Sequence, residues 1–293
     1  MKKKLKRILV TGATGFLGKN LVARLAEKFD VVCIVRDRSY KRGGIKIIYG
    51  DITESCISRA MKNVDMVVHT AAILNPFDKN VVKVNVDSTR LLVDAAKGNN
   101  VKKFIFISTE NVLHNFDDAY SSTKRAAENI VKTFRNYLIL RPTTIYGKYE
   151  NRFVKKIVNF AKKYKIVPVP GNGKKLFQPV YVEDVVKCIE NGIRYDVKGV
   201  YIVAGPSKIT YDDFINMLLE ELGEKKPIVH VPLGMLKFVD FVNKLLRNPK
   251  LMAFQVKSLE IDKVYDIKNS MKALRYKPTP VKAAIRETIK FFK

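Results

Sequence analysis

Ile8-Leu9-Val10-Thr11-Gly12-Ala13-Thr14-Gly15-Phe16-Leu17-Gly18 decides the fold. A short apolar run ends at Thr11, three glycines follow at three-residue spacing, and a helical pattern begins at once. Glycines in a strand–turn–helix context mark a dinucleotide-binding loop, whereas the same glycines elsewhere would be weak evidence. Gly12 permits the tight turn, Gly15 lets the backbone approach a pyrophosphate, and Gly18 allows the helix to lie close to the sheet. The diphosphate is expected on the amides at the positive end of that helix, with Thr14, Phe16 and Leu17 completing the loop.

The next strand, Val31–Val35, ends in Arg36-Asp37-Arg38. An NAD site usually places an acid at this strand end to hold the ribose hydroxyls. Val35 stands at the expected position and Arg36 follows it. An arginine there can stack on adenine and pair with a 2′-phosphate, with Arg38 assisting. NADP(H) is therefore favoured as cofactor. NAD(H) stays open through the reading in which Asp37 takes the ribose and Arg36 is surface charge.

Outward from this loop, apolar strands are expected at Arg7–Thr11, Val31–Val35, Ile45–Tyr49, Met66–His69, Phe104–Ile107 and Tyr137–Leu140. Helical patterns fall between them at Gly15–Lys28, Glu54–Met61, Asn80–Lys97 and Ala119–Phe134. Strands apolar on both faces and alternating with helices predict an α/β fold, a Rossmann-type doubly wound parallel sheet. After Pro142 the rhythm changes. A basic helix over Arg152–Tyr164 leads to VPVPGNGKK, then a short strand and a helix beginning near Glu183 and Asp184, then one more strand in KGVYIVAG. Helices at Tyr211–Leu222 and Leu233–Leu246 suggest a smaller, mostly helical C-terminal lobe that binds substrate. The expected division is a dinucleotide-binding domain over 1–150, with 177–204 returning to it, and a substrate lobe from 151–176 and 205–293.

With 293 residues the chain can bury a large core, and no apolar stretch is long enough to span a membrane. Cys33, Cys56 and Cys188 are odd in number and far apart, which argues against a disulfide framework or a zinc site and for a reducing cytoplasm. The net charge of +27 invites anionic ligands, a phosphorylated small molecule among them. It is spread along the chain, with no Lys/Arg tract beyond Lys2-Lys3-Lys4 and no nucleic-acid motif, so a solvated basic surface is expected and nucleic acid is not.

Ala119-Tyr120-Ser121-Ser122-Thr123-Lys124 sets a tyrosine and a lysine one helical turn apart, on one face. With the glycine loop it makes the chain resemble the extended short-chain dehydrogenase/reductase family, the nucleotide-sugar epimerase, dehydratase and reductase group. The family's motifs stand in order as Thr11–Gly18, Asp51-Ile52, His69-Thr70-Ala71-Ala72, Asn85, Ser108-Thr109-Glu110-Asn111-Val112, Arg141–Gly147 and Val182–Asp184. The resemblance implies an NAD(P)-dependent enzyme in which Tyr120 is the acid/base, Lys124 its partner and Thr109 the group on the substrate oxygen, with Ser108 as neighbouring candidate. It implies cofactor contacts from Asp51, Ile52, Thr70, Ala71, Ala72, Tyr120, Lys124, Pro142, Thr143 and Ile145. The chemistry agrees, since a phenol of pKa about 10 needs a nearby cation to act as a base at neutral pH. His69, ending an apolar strand, is read as structural, and no cluster suggests a metal.

Two departures from the family pattern matter. The loop between Thr109 and Tyr120 is short, and Phe177 stands where many nucleotide-sugar enzymes carry a diphosphate-clamping arginine. RFVKKIVNFAKK and LFQPVYVED resemble a branch that includes relatives of an accessory subunit of respiratory complex I, some of which bind NADP(H) without turnover. The expectation is hydride transfer at a carbinol or carbonyl carbon, of a sugar nucleotide or related small molecule, between the sheet's C-terminal edge and the lobe. Thr144, Asn151, Phe153, Phe177 and Gln178 are the substrate candidates. Epimerase and net reductase stay open; dehydratase is weaker, because Glu110 supplies only part of the usual acidic pair. The alternative is an NADP(H)-binding structural or regulatory protein. Homodimerisation through Asn80–Lys97 and Ala119–Phe134 is implied by the family.

Overall fold

The computed structural model describes residues 6–116, 118–235 and 260–292. In chain order these form β1 (Arg7–Thr11), α1 (Phe16–Leu25), β2 (Asp30–Val35), β3 (Lys46–Tyr49), α2 (Glu54–Ala60) and β4 (Met66–His69). A π-helical turn (Lys83–Asp87) runs into α3 (Ser88–Gly98), followed by β5 (Lys103–Ile107), a 3-10 turn (Glu110–Leu113), α4 (Ala119–Val131) and β6 (Tyr137–Pro142). Then come β7 (Ile145–Tyr146), α5 (Val154–Lys163), β8 (Val167–Pro170), β9 (Leu176–Phe177), β10 (Val180–Tyr181), α6 (Val182–Arg194) and β11 (Gly199–Val203). The chain closes with β12 (Ile209–Thr210), α7 (Tyr211–Leu222), β13 (Ile228–Val231), α8 (Lys268–Leu274) and α9 (Val281–Lys290).

Two compact units result. The first holds residues up to Thr143 with Val182–Val203 and Ile267–Lys277. Its seven strands run in the order β11-β6-β5-β4-β1-β2-β3, and every pairing is parallel. Leu9, Val32, Ile34, Val67, Phe104 and Phe106 pack with Ile57, Leu92, Val93, Ala127 and Val131 of α2, α3 and α4. The alternate strand residues Ile8, Val10, Val31 and Cys33 are buried as well, so both sheet faces are covered. Chain direction across the sheet reverses at β1, which lies between β2 and β4; in such sheets ligands bind outside the strand ends at this switch point.

The expected helix over Asn80–Lys97 is present but widens into the π turn, within which Asn85 is buried. The segment after Asp266, expected in the second lobe, contributes α8 to the first unit. There the Asn191 side chain donates to the carbonyls of Leu274 (2.8 Å) and Arg275 (3.0 Å).

The second unit comprises Thr144–Tyr181, Ala204–Asp266 and Pro278–Lys293, as far as described. It is less helical than the sequence suggested, because three short ladders join β7 to β10, β9 to β12 and β8 to β13. The prolines of VPVP hid β8. Pro168 and Pro170 lack an N–H, but among the described residues β8 has one partner, β13, an edge position that tolerates proline. Tyr146, Phe177, Phe214, Leu218 and Ile285 centre this unit's core. The expected helix at Leu233–Leu246 falls mostly outside the described residues.

Candidate active site

The glycine loop is confined by backbone. Gly12 has φ of +78°, and a Cβ there would meet Thr70 Oγ1 and Ala71 N, each at 2.6 Å. A Cβ on Gly18 would lie 2.0 Å from the carbonyl oxygen of Gly12, so the helix start and the turn leave no room for a methyl group. Gly15 is different. It is exposed and begins α1 with no side-chain cap and no acid in the first turn, leaving its positive end for an anion. Gly18→Ala is expected to destabilise the protein by about 2 kcal/mol or more, read as a fall in Tm, because the obstructing atom is backbone. An unchanged Tm would show that the turn relaxes freely.

A cleft of about 170 Å³ runs from this loop along the strand ends, lined by Gly12, Thr14, Gly15, Arg36, Asp51, Ile52, Thr70, Ala71 and Ala72. Val35, at the strand end where the sequence places the ribose, also lines it, as do Ile34, Gly50 and Val84, which sequence reasoning missed because nothing marks them apart from their neighbours. Phe16 is half-buried, while Leu17 and Gly18 are buried. Asp37 does not line the cleft. Its Oδ1 accepts from Ser39 N (2.9 Å) and Ser39 Oγ (2.6 Å), bonds that hold its carboxyl below the usual range. Asp51 Oδ1 likewise accepts from Ile52 N at 3.0 Å.

The ends of β5 and the start of α4 carry the polar cluster. Asp118 caps α4, accepting from Ser121 N (2.8 Å) and Ser121 Oγ (2.7 Å), and so fixes the turn that holds Tyr120. Tyr120 and Lys124 are both buried. Lys124 Nζ donates to the carbonyl of Ile107 at 2.5 Å and lies 3.9 Å from the centre of the Phe106 ring. Burial pushes the ammonium down to about 7, opposed by the carboxylate of Glu128. Glu128 is itself held by a two-point fork from Arg141, Nε to Oε1 at 2.9 Å and Nη2 to Oε2 at 2.6 Å. Sequence reasoning assigned no role to Asp118 or Glu128. An acid two residues before Tyr120 was a readable cap signal.

Ser108 and Thr109 differ in availability. Thr109 Oγ1 donates to Glu110 Oε2 (3.1 Å) and accepts from Asn111 N (3.3 Å), capping the 3-10 turn. Ser108 Oγ is buried and has no hydrogen-bond partner among the described residues, a hydroxyl ready for a ligand oxygen. Asn85 braces the cluster: its Oδ1 accepts from Ile73 N (2.8 Å), and its Nδ2 donates to Ile73 O (2.9 Å) and Thr123 Oγ1 (3.1 Å). His69 sits fully buried between Thr11 Oγ1 (2.6 Å) and Thr89 Oγ1 (2.9 Å), and burial pushes its pKa down to about 3. It is a neutral structural histidine. Pro142 ends β6 and Thr143 follows it, with Thr143 N donating to Val203 O at 3.0 Å.

Of the second-unit candidates, Ile145 pairs with Val180, Thr144 is half-buried and Asn151 is exposed. Phe153 stacks on Phe214 at 5.6 Å. Phe177 and Gln178, expected among the substrate residues, are both buried. Phe177 is buried against Tyr211, ring centres 4.2 Å apart, and Gln178 joins Gly205 O (2.8 Å) to Tyr265 N (3.0 Å). Among the described residues no group of three or more His, Cys, Asp or Glu could hold a metal ion. No described helix is long and apolar enough to cross a membrane.

The chain belongs to the NAD dependent epimerase/dehydratase family, whose model matches residues 8–204, from β1 through β11. It is 24% identical to a 3beta-hydroxysteroid-dehydrogenase/decarboxylase (isoform 2) of Arabidopsis thaliana over 97% of this chain, but spans only 61% of that relative's length. Its fold is similar to that of UDP-N-acetylglucosamine 4-epimerase from Methanobrevibacter ruminantium M1 in complex with UDP-N-acetylmuramic acid, with a TM-score of 0.82, 21% identity and 99% of each chain covered. It is also similar to UDP-glucuronic acid 4-epimerase from Bacillus cereus in complex with NAD, with a TM-score of 0.77, 21% identity, and 97% of this chain and 98% of that one covered.

Proposed function

We propose that this protein is an NAD(P)-dependent oxidoreductase or epimerase that works at a carbinol or carbonyl carbon, with Tyr120 as the acid/base. The observation that carries this is the buried Tyr120–Lys124 pair, its lysine pinned to Ile107 O at 2.5 Å, at the same sheet edge as the glycine loop. The cleft fits a dinucleotide, since backbone at Gly12 and Gly18 excludes side chains and the helix start at Gly15 stays uncapped. Gly12, Thr14, Gly15, Asp51, Ile52 and Thr70–Ala72 would hold the adenosine diphosphate half. Lys124 with Pro142, Thr143 and Ile145 would hold the nicotinamide half. The bound nicotinamide supplies a hydride acceptor and donor.

The chain's own residues move the proton. Tyr120 Oη takes it from a carbinol hydroxyl during oxidation and returns it to the oxygen on reduction. The Lys124 cation favours the phenolate this requires. Thr109 orients the substrate oxygen, with the free hydroxyl of Ser108 beside it as a second donor. The second unit is taken as the substrate lobe, through Thr144, Asn151 and Phe153. Sugar nucleotides are the favoured substrate class, supported by the neighbours that bind them; the hydroxysteroid relative shares the carbinol chemistry alone. We take the protein to be a cytoplasmic homodimer, which light scattering on the purified chain would test.

NADP(H) preference is part of the proposal. Arg36 lines the cleft, while the acid next to it in sequence, Asp37, does not line it and is engaged with its own turn. Arg36→Ala is expected to weaken NADPH about ten-fold or more and to leave NADH nearly unchanged, by titration of each. Equal losses would remove the 2′-phosphate reading.

The deciding experiment denatures the purified protein and identifies any nucleotide released, then screens UDP-sugars and simple carbonyls. Tightly held NAD with interconversion of two sugars would mean an epimerase and would overturn the NADP preference. An empty protein that consumes NADPH with a carbonyl would mean a reductase. No turnover across both panels would leave a cofactor-binding protein and sink the catalytic proposal.

A further inference from the structure

The charge of this molecule is not evenly compensated. Most lysines with ordered partners meet an acid, as Lys28 meets Glu190, Lys102 meets Asp65 and Lys282 meets Glu220. Helix α5 and its flanks break that pattern. Between Lys148 and Lys165 stand seven cations and one acid, Glu150. That acid is buried and turned to the backbone, accepting from the amides of Arg152, Phe153 (2.7 Å) and Lys155 (3.1 Å). Among the described residues, Arg152, Lys155, Lys156, Lys163 and Lys165 make no ion pair, and all five are exposed.

The apolar face of α5, Val154, Val158 and Ala161, is buried, so the cations crowd the outer face. Lys155 and Lys162, and likewise Lys156 and Lys163, are seven residues apart and recur on one side after two turns. Arg152, Lys155 and Lys156 also stand at the positive end of the helix, where the dipole opposes them. This arrangement works against folding and gains from an anionic surface.

Apolar side chains stand among these cations. Tyr164 and Ile166 are each 43% exposed and Phe291 is 41% exposed. Two clusters of rings and cations lie along α5 and its flanks. Lys148 lies over the rings of Tyr149 and Phe291, Tyr149 meets Phe291 at 4.9 Å, Phe291 meets Phe292, and Lys162 Nζ donates to Phe292 O. Lys163 lies over Tyr164, whose ring meets Phe160 at 4.4 Å.

We propose that this face of the second unit docks on an anionic lipid surface, with the lysines at the headgroups and Tyr164, Ile166 and Phe291 entering the interface. Two features favour lipid over nucleic acid. Ile166 has no use in base stacking but gains by entering acyl chains. The rings of Tyr149, Tyr164 and Phe291 already carry an ammonium, so they are poor platforms for a base.

The test is co-sedimentation of the full chain with phosphatidylcholine vesicles, with and without phosphatidylglycerol, across a salt series. Binding is expected only with the anionic lipid and should fall as salt rises. Replacing Lys155, Lys156, Lys163 and Lys165 together by Gln should weaken it by about a hundred-fold to a thousand-fold. The same four changed to Arg should retain it, and Ile166→Ser with Tyr164→Ser should weaken it without altering the salt slope. Nicotinamide-cofactor binding, measured on every variant, shows that each is folded. Absence of binding to anionic vesicles at low salt would overturn the proposal. So would tighter binding to a DNA or RNA duplex that the Gln variant abolishes.

Discussion

Tyr120→Phe is expected to lower kcat about a thousand-fold, within the usual range for removing a general acid/base, and to leave cofactor affinity within about two-fold. The hydroxyl is the only group removed, and the ring keeps its place. Asp118 still caps α4 through Ser121, and Lys124 still reaches Ile107 O. KM should change little, because Tyr120 is asked to move a proton rather than to hold the substrate's bulk. The measurement is steady-state kinetics on whichever substrate the screen identifies, paired with a cofactor titration. A variant that keeps more than about a tenth of wild-type kcat would assign the proton to another group. Thr109 with its Glu110 partner, or Ser108 with its unpartnered hydroxyl, would then be the next candidates. Loss of cofactor binding with loss of activity would instead mean that the ring is a structural element of the cleft.

The parallel sheet was legible because its strands are apolar on both faces and separated by periodic helices, and the glycine spacing located the switch point. Tyr120 and Lys124 were legible because a one-turn spacing puts them on one face. What escaped depended on long-range partners. The role of Glu128 comes from Arg141, thirteen residues on and in another element. The engagement of Thr109 and the freedom of Ser108 are decided by which hydroxyl the 3-10 turn captures, and Ser-Thr reads alike in either case. By sequence, Phe177 and Gln178 are substrate candidates in a segment that reads as a short strand before a helix. Burial by Tyr211 and Phe214, and by the backbone of Gly205 and Tyr265, cannot be read from local pattern. β8 was hidden by its prolines, which exclude a central strand but allow one edge pairing.

Lys124→Met should sharply lower activity and stabilise the protein below neutral pH, a combination that a merely structural lysine would not give. In the unfolded chain a lysine titrates near about 10.4. Burial brings this one down to about 7 in the fold. Between these values the unfolded state binds more protons than the native state, so this residue makes wild-type stability rise with pH across that window. Below about pH 7 both states are charged and the fold bears the full cost of a buried ammonium, an upper bound of about 4 kcal/mol. Methionine removes that cost. It also leaves Ile107 O without its donor, a loss of about 1 to 2 kcal/mol, so the net gain expected at pH 6 is about 2 kcal/mol. Glu128 is not stranded, because Arg141 still grips both its oxygens. Denaturant unfolding at pH 6 and pH 9 separates the terms: the variant should lead at pH 6, and the gap should close as pH rises. Activity should fall by about a thousand-fold, since the phenol of Tyr120 loses the cation that favours its ionised form. A variant that is less stable at pH 6, with the wild-type pH dependence intact, would show that Lys124 does not carry the depressed titration, and the proposed tuning of Tyr120 would lose its basis.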